Sequence, residues 1–198
     1  GNLILTQRRL IADLSHELRT PLARVEMAVS CAQEGIDTQH LLPRIQRECG
    51  LMRNLVEDTL TLAWLENEKP SLSGETLDLT DLLDSIVDDA RYEFPDHQLT
   101  AELPESAQLR GSSHRALAQA IENVVRNACN YTPAGGAVRV SLRAADGGYT
   151  LEVADQGPGV PADQLELIFK PFFRSSKANN HQPTGYGLGL ALARRQVE

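Results

Sequence analysis

Ser15-His16-Glu17-Leu18-Arg19-Thr20-Pro21 sits within a run where Leu14, Leu18, Leu22, Val25, Val29 and Ala32 recur every three or four residues. That is the period of one face of an α-helix. His16 lies off the apolar stripe, Glu17 is about 100° further round, and Thr20, four residues on, shares the face of His16. An imidazole, a carboxylate and a hydroxyl thus meet on one exposed patch. Pro21 has no amide hydrogen for the Glu17 carbonyl and crowds it, which predicts a kink beside the histidine. Taken alone, an exposed helical histidine is more often simply solvated than chemically engaged.

Outward from this stretch, the first helix is predicted over residues 3 to 34, with Gly35 at its C′ position. Asp37 or Thr38 can cap a second helix, in which Leu41, Ile45, Met52, Leu55, Val56, Thr59, Leu62 and Ala63 form a near-heptad stripe to about Glu66. Pro43 falls near its first turn, where proline is tolerated. The pair reads as an antiparallel hairpin over residues 1–67. Two helices cannot bury both broad apolar faces, so pairing with a second copy into a four-helix bundle is expected, making the chain a homodimer. The alternative is a monomeric hairpin packed on its own second domain.

The bulk properties narrow the class. The 198 residues suit one large or two small domains, and 41% hydrophobic residues are ample for a core. Nineteen basic against twenty-seven acidic residues give a net charge of −8, which argues against a general binder of nucleic acid or membrane surfaces. Cys31, Cys49 and Cys129 are odd in number and without a Cys-x-x-Cys pair, so neither a disulfide framework nor a zinc site is indicated. A reducing, cytoplasmic setting fits. No run reaches the roughly eighteen apolar residues of a membrane span, so any membrane anchor is expected outside this chain.

Residues 68–75, polar and punctuated by Pro70 and Gly74, read as a linker. Beyond it the pattern changes. Strands are predicted at Thr76–Leu79, Leu99–Leu103, Leu109–Gly111, Val138–Leu142 and Tyr149–Val153, with Asp146-Gly147-Gly148 turning the last two into a hairpin. Thr80 is expected to cap one helix, and Ser112 or Ser113 another that runs to about Tyr131. The fold class is therefore α + α/β: the helical hairpin, then an α/β sandwich over 76–198 with helices on one face of a mixed sheet.

Several groups in this second domain suit a nucleotide. Asn123 and Asn127, four apart on one helix, project from one face. Amide oxygens are hard enough for Mg²⁺, although paired asparagines are more often hydrogen-bonded helix residues. Asp155-Gln156-Gly157-Pro158-Gly159 follows a strand; its carboxylate can accept from an adenine amino group while the glycines let the backbone approach, or it is a plain turn. Residues 175–184 are polar and aperiodic, as in a lid. Gly185-Tyr186-Gly187-Leu188-Gly189-Leu190 then opens an apolar helix whose N-terminal amides can face an anion. It is neither a Rossmann nor a P-loop pattern. Arg194 and Arg195 read as solvent-facing charges.

The string Ser15-His16-Glu17-Leu18-Arg19-Thr20-Pro21-Leu22 closely resembles the phosphoacceptor box of the sensor histidine kinases of bacterial two-component systems. Glu122 to Thr132 is similar to their N box, Asp155 to Gly159 to their Asp-x-Gly-x-Gly box, Glu166 to Arg174 to their F box, and Gly185 to Leu190 to their second glycine box. All five occur in the family's order. The resemblance implies that His16 accepts the γ-phosphoryl group of ATP, with Glu17 as general base and Thr20 orienting water when a phosphorylated regulator is hydrolysed. It implies that Asn127 binds Mg²⁺, Asn123 supports the phosphate end, Tyr131 flanks the adenine and Asp155 with Gly157 and Gly159 receives it. Arg174 would reach a phosphate, Gly185, Gly187, Leu188 and Gly189 would form the phosphate-side loop, and the F-box aromatics would be core or hinge residues.

The family resemblance further implies passage of the phosphate to an aspartate of a response regulator, and the cytoplasmic part of a bacterial inner-membrane sensor. Family members continue for several tens of residues past the last glycine box, so the ATP-binding domain is expected to be truncated at its C-terminus. Two other classes compete: an ATPase of the gyrase, chaperone and mismatch-repair superfamily, against which the His16 hairpin counts, and a non-catalytic dimeric scaffold, against which the intact His16, Asn127, Asp155 and Gly187 count.

Overall fold

Helix α1 (Asn2–Gln33) is one continuous element through Pro21. Just past its end stands Gly35, at φ +76°, where Gly35 N–H donates to the Ala32 carbonyl (3.1 Å) and Ile36 N–H to that of Cys31 (3.0 Å). This double bond pattern closes off the last carbonyls, and only a residue at ease with positive φ supports it. Helix α2 (Thr38–Leu65) follows. In this computed structural model residues 2–36, 38–65, 76–175 and 185–197 are described, and the chain divides into two units, Gly1–Asn67 and Glu68–Glu198. Asp37, one of the two expected α2 caps, and the 68–75 linker lie outside the described residues.

Within the hairpin, Leu10, Pro21 and Ala28 of α1 are buried with Leu55, Thr59 and Leu62 of α2. The stripe expected on α1 is only partly covered: Leu14, Leu18, Val25 and Ala32 are half-buried, while Leu22 (48% exposed) and Val29 face outward, as does Ile11 (64%). One partner helix covers a narrower arc than the apolar face of α1 spans. Burying a side chain such as Leu22 is worth about 1.5–3 kcal/mol, so the uncovered arc is a substantial unmet contribution.

In the second unit, β1 (Thr76–Asp78) pairs antiparallel with β3 (Gln108–Arg110). Strand β2 (Gln98–Glu102) runs parallel to β4 (Ala137–Ala145), which pairs antiparallel with β5 (Gly148–Ala154), so the larger sheet is mixed with order β2-β4-β5. The β4–β5 turn is Asp146-Gly147, with Gly147 at φ +80°. Helices α3 (Leu79–Glu93) and α4 (His114–Tyr131) close the core: Leu83 and Val87 from α3 and Val125 and Ala128 from α4 meet Leu99, Val138, Val140 and Leu142 of the sheet. Helix α5 (Gly189–Val197) packs on α4 through buried Ala191, Leu192 and Ala193.

The caps refine the expectation. Thr80 does not cap α3: Asp78 does, its carboxylate accepting the Thr80 N–H (2.9 Å). A carboxylate two residues earlier reaches that amide, which frees the Thr80 hydroxyl to donate to the Pro104 carbonyl (3.1 Å). Ser113, of the two candidate serines, caps α4 through Ala116 N–H (3.4 Å). Cys129 is buried within α4, and burial together with the Glu93 charge pushes its thiol up to about 11, so it serves as a small neutral packing group. No helix among the described residues is long and apolar enough to cross a membrane.

Candidate functional site

The first unit carries the candidate acceptor. His16 stands out from α1 with its side chain 77% exposed, and its Nδ1 lies 3.5 Å from Oε1 of Glu17. With the Nδ1 proton turned toward that carboxylate, the neutral ring keeps a lone pair on Nε2. Ser15 is turned away, its hydroxyl donating to the Ile11 carbonyl (2.7 Å). Thr20, one turn on from His16, is exposed.

In the second unit three distant stretches converge. Asn123 and Asn127 are half-buried on α4, and the Nδ2 amide of Asn123 is buried without a hydrogen-bond partner. A Cβ built on Gly189, the first residue of α5, would lie 3.6 Å from Cγ of Asn123, so the N box abuts the glycine loop. That loop is stitched in turn to the F box. Phe172, at φ +62°, donates its N–H to the Gly187 carbonyl (3.0 Å), and Gly187 stands at φ +73°. Leu188 is buried, fixing the loop to the core just where α5 begins. Gly185 is exposed, next to residues 176–184, so nearly all of the expected lid lies outside the described residues.

Asp155 follows β5 and is exposed. One oxygen accepts the Gly157 N–H (2.7 Å), leaving a carboxylate with most of its acceptor capacity. Gly157 in turn passes close to Tyr131, since a Cβ there would fall 3.0 Å from the Tyr131 carbonyl oxygen. Gly159 is at φ +70°. The C-terminal end of α4 therefore lies against the Asp155 turn, and the middle of α4 lies against the glycine loop. Arg174 is exposed at the edge of the undescribed segment.

Some residues had no role in the sequence reading. Arg194 is not merely solvent-facing: its Nη1 is 3.5 Å from Oε2 of Glu166 and its guanidinium 5.4 Å from the Phe169 ring centroid. This ties α5 to the F box across 28 positions, which no local period reveals. Thr132 and Gln156 pair through the Gln156 N–H and the Thr132 hydroxyl (3.3 Å), and their only sequence signal is their place inside the two boxes.

The donor chemistry fits a nucleotide phosphate with a hard cation. The orphaned Asn123 amide is a donor suited to a phosphate oxygen, and Asn127 offers a neutral amide oxygen of the kind Mg²⁺ takes alongside phosphates and waters.

Comparison with known proteins gives concordant matches. Residues 6–68 match the His Kinase A (phospho-acceptor) domain, and residues 112–198 the histidine kinase-, DNA gyrase B- and HSP90-like ATPase family. Sensor protein PfeS of Pseudomonas aeruginosa is 40% identical over 195 residues, 97% of this chain but 42% of that protein, so the chain spans about two-fifths of this relative. The mycobacterial sensor histidine kinase MprB structure is 32% identical, with a TM-score of 0.55 over 63% of this chain and 78% of that one. The full-length structure of ShkA in complex with AMPPNP is 27% identical, with a TM-score of 0.63 over 96% of this chain and 40% of that one.

Proposed function

The chain belongs to the sensor histidine kinases, and from this we propose that it is a kinase core that phosphorylates His16 from ATP and passes the phosphoryl group to an aspartate of a response regulator. The observation that carries the reading is the His16–Glu17 pair, an exposed imidazole with a carboxylate 3.5 Å from Nδ1, in a chain that also holds an ATPase-family unit. The AMPPNP held by ShkA is in keeping with a triphosphate substrate.

In this mechanism the adenine lies against the Asp155 turn and Tyr131, the amino group donating to Asp155. Asn123 and the loop of Gly185, Gly187, Leu188 and Gly189 receive the phosphates, with Arg174 at their outer edge. Asn127 would hold Mg²⁺, which when bound would neutralise charge on the phosphate oxygens. Glu17 holds the Nδ1 proton, so Nε2 of His16 keeps the lone pair that attacks the γ-phosphorus. The new bond is N–P; the bond that breaks joins the γ-phosphorus to its bridging oxygen, and ADP leaves with that electron pair. A receiver aspartate then attacks the phosphohistidine, returning the imidazole, and Thr20 orients water for the opposite, dephosphorylating activity.

The remaining assignments follow the same reading. The hairpin of residues 1–67 pairs with a second copy, covering Ile11, Leu22 and Val29 in a four-helix bundle; residues 68–75 link it to the ATP-binding domain at 76–198. In this reading the whole sensor belongs at a bacterial inner membrane, anchored through segments outside this sequence.

The test is incubation with γ-labelled ATP and Mg²⁺, comparing the chain with His16→Ala and Asn127→Ala. Acid-labile label absent from both variants is expected. Label that persists in His16→Ala refutes the acceptor, and ATP hydrolysis without protein label favours a superfamily ATPase.

A further inference from the structure

Asp155 is exposed, and the only bond described for its carboxylate is to the amide two residues on. That bond orients the carboxylate within its own turn but does not tie the turn to the rest of the domain, because acceptor and donor belong to the same turn. What holds the turn is Thr132. This residue follows α4 in an extended conformation, φ −74° and ψ 132°, and is 4% exposed. Each of its groups is engaged. Its N–H donates to the Ala128 carbonyl (3.0 Å), and its hydroxyl accepts the Gln156 N–H (3.3 Å). Its carbonyl faces Nε2 of His97 (3.0 Å), which must therefore be the protonated ring nitrogen. Its methyl group packs on Gly136, where a Cβ would come within 2.6 Å.

Gln156 completes the clamp from the other side, its Oε1 accepting the Ala137 N–H (2.9 Å). The peptide joining Asp155 to Gln156 is thus held at its nitrogen by the Thr132 hydroxyl, and the Gln156 side chain is held by the first residue of β4. Gly157 then packs on the Tyr131 carbonyl. The residues after Asp155 are anchored to the end of α4 and the start of β4, and Asp155 is carried on them.

We infer that Thr132 is a positioning residue for purine selection: its hydroxyl sets the Asp155 turn so that the carboxylate meets a 6-amino donor and rejects a 6-oxo purine. This rests on the reading that Asp155 receives the adenine amino group. A carboxylate is acceptor-only when ionised, so a purine with a carbonyl at that position presents acceptor against acceptor. Hydrogen-bonded selection of this kind depends on geometry, because a displaced acceptor neither rewards the right base nor opposes the wrong one. Thr132→Val keeps the shape and removes the acceptor of the Gln156 N–H; Thr132→Ser keeps the acceptor and removes the methyl.

The experiment measures equilibrium binding of ATP, GTP and purine riboside triphosphate, which lacks the 6-amino group, to the 198-residue chain and its variants. Thr132→Val is expected to weaken ATP about tenfold while leaving purine riboside triphosphate within about twofold, and Thr132→Ser to restore most of the preference. Equal loss for all three nucleotides, or no loss in Thr132→Val, overturns the inference. Asp155→Ala separates it from the reading beneath: if Asp155→Ala still prefers ATP over purine riboside triphosphate, the adenine assignment itself fails. If Asp155→Ala loses that preference and Thr132→Val keeps it, only the role of Thr132 fails. Should Thr132→Val not fold, hydrogen exchange in the unaltered chain decides. A slowed Gln156 amide is expected, and exchange as fast as that of an open loop amide overturns the inference.

Discussion

Gly187 and Phe173 come so close that a Cβ on the glycine would lie 2.6 Å from the Phe173 carbonyl oxygen, with Gly187 at φ +73°. Both conditions exclude a side chain: the conformation disfavours L-residues, and the neighbour is backbone that cannot swing aside. Since Gly187 also accepts the Phe172 N–H, the contact couples the glycine loop to the F box. Gly187→Ala is expected to lower ATP affinity about tenfold or more, the scale of 1–3 kcal/mol of local strain, while the core around Leu83 and Val125 stays folded. Calorimetric titration against thermal melting separates the two. Affinity within twofold of the unaltered chain would show that the loop does not need this contact.

Glu17 gives a rate prediction independent of binding. Glu17→Gln keeps size and polarity but withdraws the carboxylate that faces Nδ1 of His16. Positioned acid–base groups contribute about 10²–10⁴ in rate, so phosphorylation of His16 is expected to slow by that order with ATP affinity unchanged. Single-turnover labelling at saturating ATP reads this directly; an unaltered rate would remove Glu17 from the chemistry.

What the sequence made legible follows from the range of each signal. The helical hairpin was readable from periods of three and four, and Gly35 from its place after the last apolar residue. The turn at Asp146-Gly147 was readable because short hairpins demand such residues. Less visible were features set by long-range contact. Arg194 looks like any surface charge until Glu166 and Phe169 are brought beside it. Thr132 sits inside the N box with no signal of its own, because its partners His97 and Gln156 are 35 residues before and 24 after it. Which residues of α1 fall in the uncovered arc was unreadable for the same reason: the period marks an apolar face too broad for one partner but not the line along which that partner meets it.

Asp78 links the α3 cap to acid stability. Its carboxylate accepts from the Ser106 hydroxyl (2.6 Å), the Ala107 N–H (3.0 Å) and the Thr80 N–H, and these bonds hold its pKa below the ordinary 3.8. A depressed folded value means that the stabilisation is fully present above the unfolded value and disappears as pH falls through the folded one. Asp78→Asn is therefore expected to lower the urea midpoint at neutral pH, with the gap to the unaltered chain closing below about pH 4. Midpoints at several pH values check this. A gap of constant size down to strong acid would mean that the charge of Asp78 contributes nothing.

Glu48 predicts a gain rather than a loss. It falls in register with Ile45, Leu55 and Leu62 along α2 and is only 8% exposed, facing the hairpin seam. Its Oε1 is 3.4 Å from Nη1 of half-exposed Arg24, and its Oε2 is buried without a partner. An ion pair at that distance, with one oxygen unpaired, does not offset the cost of removing a carboxylate from water. Glu48→Met, apolar and of similar length, is expected to stabilise the hairpin unit by about 1–4 kcal/mol, the range seen when buried ionic groups are replaced by packed apolar ones. Arg24→Ala should act in the opposite direction, since it leaves the buried carboxylate with no counter-charge. Thermal unfolding of the two variants beside the unaltered chain tests both signs together: if Glu48→Met melts lower, the carboxylate has a partner that repays its burial, and the seam is stabilised by that pair.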